Sequence, residues 1–206
     1  MNRLDFATKG KIKVDKIDND LSDYTFVLIN TGGSHADLTD EYASIPKEMF
    51  AVANKFNKER LVDIPEKDFF NNLNQIQAGL PDRAILRACH FYEENERVEC
   101  VYKALKCGNY EAFLKAVNES GISSLCKLQN CYVAGSNEQP IVKALSISAR
   151  YLNGGANRVH GGGFAGSILN IIKNSDVNAF IERMKEIYSE ENIIPLKIRS
   201  VGTIVL

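Results

Sequence analysis

The feature that most constrains the fold is a glycine-rich segment, residues 161–166 (GGGFAG), which lies between two strand-like stretches. Residues 156–160 and 167–172 are both typical of strands, and the second is rich in isoleucine and leucine. The segment matches the G-x-G-x-x-G pattern, but a dinucleotide-binding loop must lead from a strand into a helix. No Walker A sequence with its lysine occurs in the chain. Two interpretations stay open here, a tight hairpin without a ligand and a turn that approaches a phosphate closely.

The rest of the chain places helices in the middle and strands towards both ends. Apolar residues at helical spacing predict helices over 38–56, 81–106, 110–117, 141–151 and 177–187. Apolar or alternating runs predict further strands over 11–14, 24–29, 195–199 and 203–206. Pro46 either kinks the first helix or opens a second one, and Gly121 is expected to end the third. This order predicts an α+β fold, a small and mostly antiparallel sheet covered by helices, in one domain.

Composition excludes several classes of function. The 206 residues carry a net charge of −1, so nothing in the charge balance favours a nucleic acid or an anionic membrane as a partner. No apolar run approaches the roughly 20 residues of a membrane helix, and the first residues do not resemble a signal peptide. The five cysteines form no CxxC pair, which predicts free thiols packed in the core. We therefore expect a soluble, cytoplasmic protein.

Isolated polar residues give no catalytic site by themselves. The three histidines, His35, His90 and His160, are too scattered in the sequence to predict a metal site. Residues 34–37 (SHAD) contain the residue types of a serine hydrolase triad, but such a triad is defined by positions in space and not by adjacency. His160, which precedes the glycine segment, is more typical of a structural imidazole than of a catalyst. No metal ligand is assigned from the sequence.

Several blocks together resemble the galactokinases, members of the GHMP kinase family. The segment 158–167 (RVHGGGFAGS) resembles the third signature of GHMP kinases. The segments 32–42 (GGSHADLTDEY) and 45–49 (IPKEM) resemble the part of bacterial galactokinases that follows their central strand. Further similar blocks, in the same order along the chain, lie at 82–88, 117–121 and 196–202. The resemblance covers nearly the whole sequence.

This resemblance implies ATP-dependent phosphoryl transfer to a hydroxyl of a galactose-like sugar, with Mg²⁺ as cofactor. Such kinases have two lobes that meet at a cleft, and the C-terminal lobe is ferredoxin-like with added helices. Their first signature, G-R-x-N-x-I-G-E-H, and their serine-rich phosphate loop do not occur in this sequence. We therefore expect residues 1–206 to form the C-terminal lobe without the N-terminal lobe. ATP and Mg²⁺ are expected to bind the complete enzyme and not to bind this chain tightly alone.

The resemblance also implies roles for individual residues. Tyr42 matches the tyrosine that contacts galactose in galactokinases. The family's catalytic aspartate lies in a Met-Asp-Gln segment, and Asn2 falls at that position if the first residues align. An amide in place of that aspartate cannot accept a proton at neutral pH. The residues expected to lie beside the phosphate loop of the other lobe are Gly161, Gly162, Gly163, Phe164 and Gly166.

Two expectations and two alternative functions follow for the chain as it stands. It should lack appreciable kinase activity, because phosphoryl transfer depends on groups that position and neutralise the phosphates. An alternative is a non-catalytic module of galactokinase descent that senses a sugar or a nucleotide, and a free-standing interaction domain is a third reading. A lobe separated from its partner should expose an apolar patch around Tyr42 and the glycine segment, and could self-associate through it.

Overall fold

The computed structural model describes residues 1–19, 21–33 and 38–198. Its strands are β1 (Asn2–Asp5), β2 (Lys13–Lys16), β3 (Tyr24–Asn30), β4 (Ala156–Val159), β5 (Ser167–Lys173) and β6 (Ile193–Leu196). Its α-helices are α1 (Thr39–Asn54), α2 (Glu66–Asn71), α3 (Leu73–Ile76), α4 (Asp82–Cys107), α5 (Tyr110–Ser123), α6 (Pro140–Ala149) and α7 (Val177–Lys185). Short 3₁₀ turns lie at Leu61–Asp63 and Glu190–Asn192, and a π-helical turn at Ser124–Leu128 follows α5 directly.

Four strands form an antiparallel sheet in the order β4-β5-β3-β6. The register places Ile168 of β5 between Ile29 of β3 and Val159 of β4. β1 and β2 pair with each other in a separate antiparallel hairpin. The predicted α+β fold with a small antiparallel sheet is therefore confirmed.

Alternation along the strands explains why helices cover both faces of the sheet. One face carries Val27, Ile29 and Ile168, which are fully buried with α6 and α7 against them. The opposite face carries Phe26 and Ile171, which pack with side chains of α4 and α5. Because both faces of the sheet are covered, the sequences of β3 and β5 are nearly continuous apolar runs.

Helix α4 joins this sheet layer to a second, wholly helical cluster. Its 26 residues span roughly 39 Å at 1.5 Å per residue. Its first turns bury Ala84, Ala88 and Tyr92 against α1 and α2, whereas its last turns pack against α5 near the sheet. Gly108 ends it in the left-handed conformation (φ +69°), as the sequence suggests for a helix that stops at glycine. The N-terminal part of α4 therefore lies beside α1, which carries Tyr42.

Several boundaries differ from the sequence prediction. α1 continues through Pro46 as one helix, and α5 continues through Gly121 to Ser123. Gly121 is needed there for packing, because a Cβ would lie 2.7 Å from the Asn157 carbonyl oxygen on β4. The strands predicted at 11–14 and 195–199 are Lys13–Lys16 and Ile193–Leu196. The strand predicted at 203–206 lies outside the described residues.

All five cysteines are free thiols, as predicted, but they are not all in the core. Cys131 is fully buried, which raises the pKa of its thiol to about 12, whereas Cys100, Cys107 and Cys126 are exposed.

Among the described residues, no helix combines the length and the apolar character that crossing a membrane requires.

Candidate functional site

The glycine loop (residues 161–166) is the turn of the hairpin that β4 and β5 form. Gly161, Gly163 and Gly166 have φ values of +68°, +84° and +89°, which side chains tolerate poorly. The His160 amide donates to the Ser167 carbonyl oxygen at 3.0 Å and closes the base of the turn. The predicted strand–turn–strand arrangement is correct, and it differs from the strand–turn–helix arrangement of a dinucleotide-binding loop.

Tyr42, on the first turn of α1, lies directly against this loop. Its hydroxyl donates to the Gly163 carbonyl oxygen at 2.7 Å. Its ring packs edge-to-face on Phe164, with centroids 5.3 Å apart. A Cβ on Gly162 would lie 2.8 Å from the Tyr42 ring, so only glycine fits there without displacing the ring. The structure thus brings together Tyr42 and the glycine loop, which the sequence analysis named as separate site candidates.

Asn130 holds the same loop from the other side. It is 3% exposed, and it follows the π-helical turn by two residues. The Phe164 amide donates to its main-chain oxygen at 2.5 Å, and its Nδ2 donates to the Gly162 carbonyl oxygen at 3.0 Å. A Cβ on Gly163 would lie 2.0 Å from the Asn130 main-chain oxygen. Asn130 and Tyr42 together bind three consecutive backbone positions of the loop.

The second glycine-containing segment of the sequence also reaches the loop. The Thr31 amide and hydroxyl both donate to the Gly166 carbonyl oxygen, at 2.9 and 2.7 Å. A Cβ on Gly33 would lie 3.3 Å from Ala165, which shows how closely the two segments approach. Beside them is an open cavity of about 600 Å³, whose lining includes Thr31, Gly33 and Lys143. The loop is therefore held on three sides by described residues.

A buried ion pair lies between α1 and α4. Arg87 of α4 is 0% exposed, and its Nη1 donates to Glu48 Oε2 and to Ser44 Oγ, both at 2.9 Å. Its Nε donates to the Leu128 carbonyl oxygen at 3.0 Å. Arg83, one turn earlier, binds the same carboxylate through Nε and Nη2. Burial lowers the pKa of the Arg87 guanidinium, and the Glu48 charge opposes that shift.

No described side-chain contact joins the remaining described candidates from the sequence to Tyr42 or Asn130. His160 is exposed at the end of β4, and the buried His90 Nδ1 lies 2.9 Å from Ser123 Oγ. His35 lies outside the described residues. Asn2 is exposed on β1 opposite Lys16, and no described contact joins it to Tyr42 or the loop. Its correspondence to the family's aspartate stays a prediction.

Magnesium would need ligands beyond those that the described residues offer. Within residues 1–19, 21–33 and 38–198, no group of three or more His, Cys, Asp or Glu side chains could hold a metal ion. Both oxygens of Glu48 already accept hydrogen bonds from Arg83 and Arg87. The described part of the site therefore does not fit a magnesium ion by itself.

A polar network on α4 and α5 supports the strand that leads into the loop. Glu94 accepts from Ser120 Oγ and, at 2.8 Å, from Arg97 Nε, and it lies 3.5 Å from Arg158 Nη1 on β4. Burial would raise the pKa of Glu94, but these donors outweigh burial and lower it. For His90, burial dominates and lowers the pKa, although the nearby Glu94 acts against it.

These two shifts predict that acid destabilises the fold. The unfolded chain takes up a proton at His90 below pH about 6.5, whereas the buried imidazole resists it. Unfolding is therefore favoured as the pH falls. Glu94, whose folded pKa is also depressed, adds a further loss of unfolding free energy below pH about 4.3.

We expect the urea concentration at the midpoint of unfolding to decrease when the pH is lowered from 7.5 to 5, and His90→Gln to make that decrease smaller. The exposed His160→Gln is the control, and an equal flattening by both variants would contradict the assignment.

Exposed apolar side chains lie elsewhere than predicted. Phe164 is only 4% exposed because it turns inward beneath Tyr42, so the hairpin buries its own apolar side chain. Among the described residues, the expected patch around Tyr42 and the loop is therefore absent. An apolar groove of about 570 Å³ lies instead between β1, α1 and α4. Its exposed apolar residues are Leu4, Phe6, Phe50, Val62 and Val98.

Solved structures of kinases share the fold of this chain. The structure superposes on L. lactis galactokinase, solved with galactose, at a TM-score of 0.68 with 21% identity, over 92% of this chain and 48% of that one. It superposes on L. major mevalonate kinase, solved with R-mevalonate, at a TM-score of 0.51 with 13% identity, over 91% and 46%. This is the α+β fold of the GHMP kinases, as the sequence resemblance implied.

In sequence, the curated proteins that match this chain include galactokinases. The chain is 29% identical to the galactokinase of Glaesserella parasuis over 168 residues, which is 82% of this chain and 42% of that protein. It is 25% identical to the galactokinase of Lactococcus lactis subsp. cremoris over 184 residues, 87% of this chain and 44% of that protein. No protein-family model matches. The chain is therefore homologous to galactokinases, and it spans less than half the length of these relatives.

Proposed function

We propose that this chain is the C-terminal lobe, residues 1–206, of a galactokinase-like sugar kinase that uses ATP to phosphorylate a galactose hydroxyl. The contact between Tyr42 and the glycine loop carries the proposal. The hydroxyl of Tyr42 reaches the Gly163 carbonyl oxygen across 121 positions of sequence, so two blocks that resemble galactokinases form one surface. Homology to galactokinases supports the same conclusion.

Within this proposal Tyr42 contributes to the sugar site. Its half-buried ring is fixed by Phe164 and by its hydrogen bond to Gly163, so it loses little conformational entropy when a ligand packs on it. An aromatic ring with a polar end suits a sugar, which has both C–H faces and hydroxyl groups. The galactokinase of L. lactis has been solved with galactose, which agrees with this ligand class.

The glycine loop would form the side of the site that faces the phosphates. Gly161 and Gly162 are exposed, and at Gly161, where a Cβ would meet nothing within 4 Å, another backbone or a phosphate can approach closely. The ATP-binding groups and the oxygen ligands for Mg²⁺ would come from the N-terminal lobe. A related protein, MDDEF, was solved with MVAPP, AMPPCP and magnesium, and it matches at a TM-score of 0.50 with 10% identity. Because the ATP-binding groups and the Mg²⁺ ligands would come from the other lobe, we propose that this chain alone is inactive.

A chimera tests the proposal. The segment of L. lactis galactokinase that matches residues 13–206 is replaced by those residues of this chain, which leaves the relative's own residue at the position of Asn2. ADP formation is then measured with galactose, ATP and Mg²⁺. We expect galactose-dependent turnover by the chimera and none by this chain alone. Robust turnover by this chain would contradict the inactive-lobe part of the proposal. Galactose binding by this chain in calorimetry, without turnover by the chimera, would favour the sensing alternative.

Tyr42→Ala in the chimera should lower kcat/KM for galactose about 10- to 100-fold, because it removes a fixed packing surface worth about 1–3 kcal/mol. Tyr151→Ala is the matched control, since Tyr151 is 40% exposed beyond the end of α6. Equal kinetics for the Tyr42 and Tyr151 variants would exclude Tyr42 from the sugar site.

A further inference from the structure

We propose that Arg87 is a positioning residue for the Tyr42–glycine loop site, and that it acts through Leu128 and Asn130. The linkage is argued from contacts within this chain. Its consequence for a sugar substrate rests on the proposed function. Arg87 touches neither Tyr42 nor the loop in any described hydrogen bond or ion pair, so its influence must pass through its neighbours.

A gain in stability does not explain why Arg87 is buried. A guanidinium that is 0% exposed has lost its hydration, and replacing a buried ion pair by apolar residues is often neutral or stabilising. Its Nη2 is buried, with no hydrogen-bond partner among the described residues. A buried charge at such a position is better explained by the geometry that it imposes than by the stability that it adds.

That geometry concerns the end of the π-helical turn. Arg87 Nε donates to the carbonyl oxygen of Leu128, the last residue of the turn. The next residue, Gln129, is left-handed at φ +56°, and Asn130 follows it. Asn130 then binds the backbone of Gly162 and Phe164. Turns of the π-helical type are rare in proteins, and those that occur often lie at functional sites. In this chain the turn orients Asn130 towards the loop.

Helix α1 provides a second connection between Arg87 and the loop. Helix α1 carries Tyr42, which binds Gly163, and also Ser44 and Glu48, which bind Arg87. Arg87 therefore fixes α1 and the 128–130 segment relative to each other, and these are two of the three segments that hold the loop. Its planar guanidinium reaches both at once. A lysine ammonium is a single point charge on a flexible stem and cannot reproduce that geometry.

Hydrogen exchange of the intact chain tests this linkage without any substrate. Arg87→Lys and Arg87→Met are compared with a control variant, Arg83→Met. Arg83 is also a partner of Glu48, but unlike Arg87 it makes no described contact with Leu128. The probe is the Phe164 amide, and the reference is the Ile171 amide in the middle of β5. In both Arg87 variants we expect Phe164 exchange to accelerate about tenfold more than Ile171 exchange. In Arg83→Met the ratio of the two rates should not change.

A purely structural role would accelerate both amides by the same factor, and that result in Arg87→Lys would overturn the proposal. If the Arg87 variants do not fold, Asn130→Ala provides the second test, because it removes the Nδ2 bond to Gly162 and keeps the main-chain oxygen. It should also raise the Phe164-to-Ile171 ratio, and an unchanged ratio would count equally against the linkage. These rates need neither sugar nor ATP, so an inactive chimera would count against the proposed function and leave this test intact.

Discussion

Gly163→Ala should destabilise the chain by about 2–5 kcal/mol. The new Cβ would lie 2.0 Å from the Asn130 main-chain oxygen and 2.7 Å from its Nδ2, so the loop or Asn130 must move. Moving either breaks the bonds from Asn130 to Gly162 and Phe164, and a buried polar group left without a partner costs about 1–3 kcal/mol. The left-handed φ of +84° adds about 1–2 kcal/mol for a residue with a side chain.

Gly161→Ala is the matched control for this prediction. Gly161 has a similar φ of +68°, but a Cβ there meets nothing within 4 Å. Only the backbone cost of about 1–2 kcal/mol is therefore expected. Urea unfolding followed by circular dichroism measures both variants, since the chain has no tryptophan. Equal losses for the two variants would mean that the contact with Asn130 contributes little.

Local sequence patterns were sufficient for the hairpin and the sheet core. β3 and β5 are runs of apolar and β-branched residues, which indicate strands. Four glycines within the six residues that precede β5 indicate a turn there. β1 was missed because its four residues, NRLD, show no apolar alternation, and their pairing with β2 is a tertiary property. Gly121 was misjudged because a helix-ending glycine and a glycine that admits a neighbouring strand look alike in sequence.

The candidate site was only partly predictable. Tyr42 and the glycine loop were named from the resemblance, but no local rule places Asn130 against a loop 32 residues away. Arg87 did leave a signal that was overlooked. It lies at i+3 from Ala84 and beside Ala88, on the buried face of α4, so a charged residue there needs a buried partner. Glu48 cannot be identified as that partner without the packing of α1 on α4.

The partnership between Glu48 and Arg87 underlies the second large effect. Glu48→Met should destabilise the chain by about 3–5 kcal/mol, because it leaves a fully buried guanidinium without its carboxylate. Glu182→Ala is the control, since its ion pair with Lys185 is on the surface with Glu182 72% exposed. Breaking that exposed pair should cost less than about 1 kcal/mol.

A double variant separates the uncompensated charge from lost packing. Glu48→Met combined with Arg87→Met leaves the Leu128 carbonyl oxygen without its Arg87 donor, at about 1–3 kcal/mol, but no longer buries an unpaired cation. The double variant should therefore unfold at a higher urea concentration than Glu48→Met alone, although it carries one more substitution. Strict additivity of the two single losses would show that the charges do not interact. A double variant more stable than Glu48→Met would show that the destabilisation comes from stranding the charge, which is the physical reason that Glu48 and Arg87 act as a unit beneath the Tyr42 site.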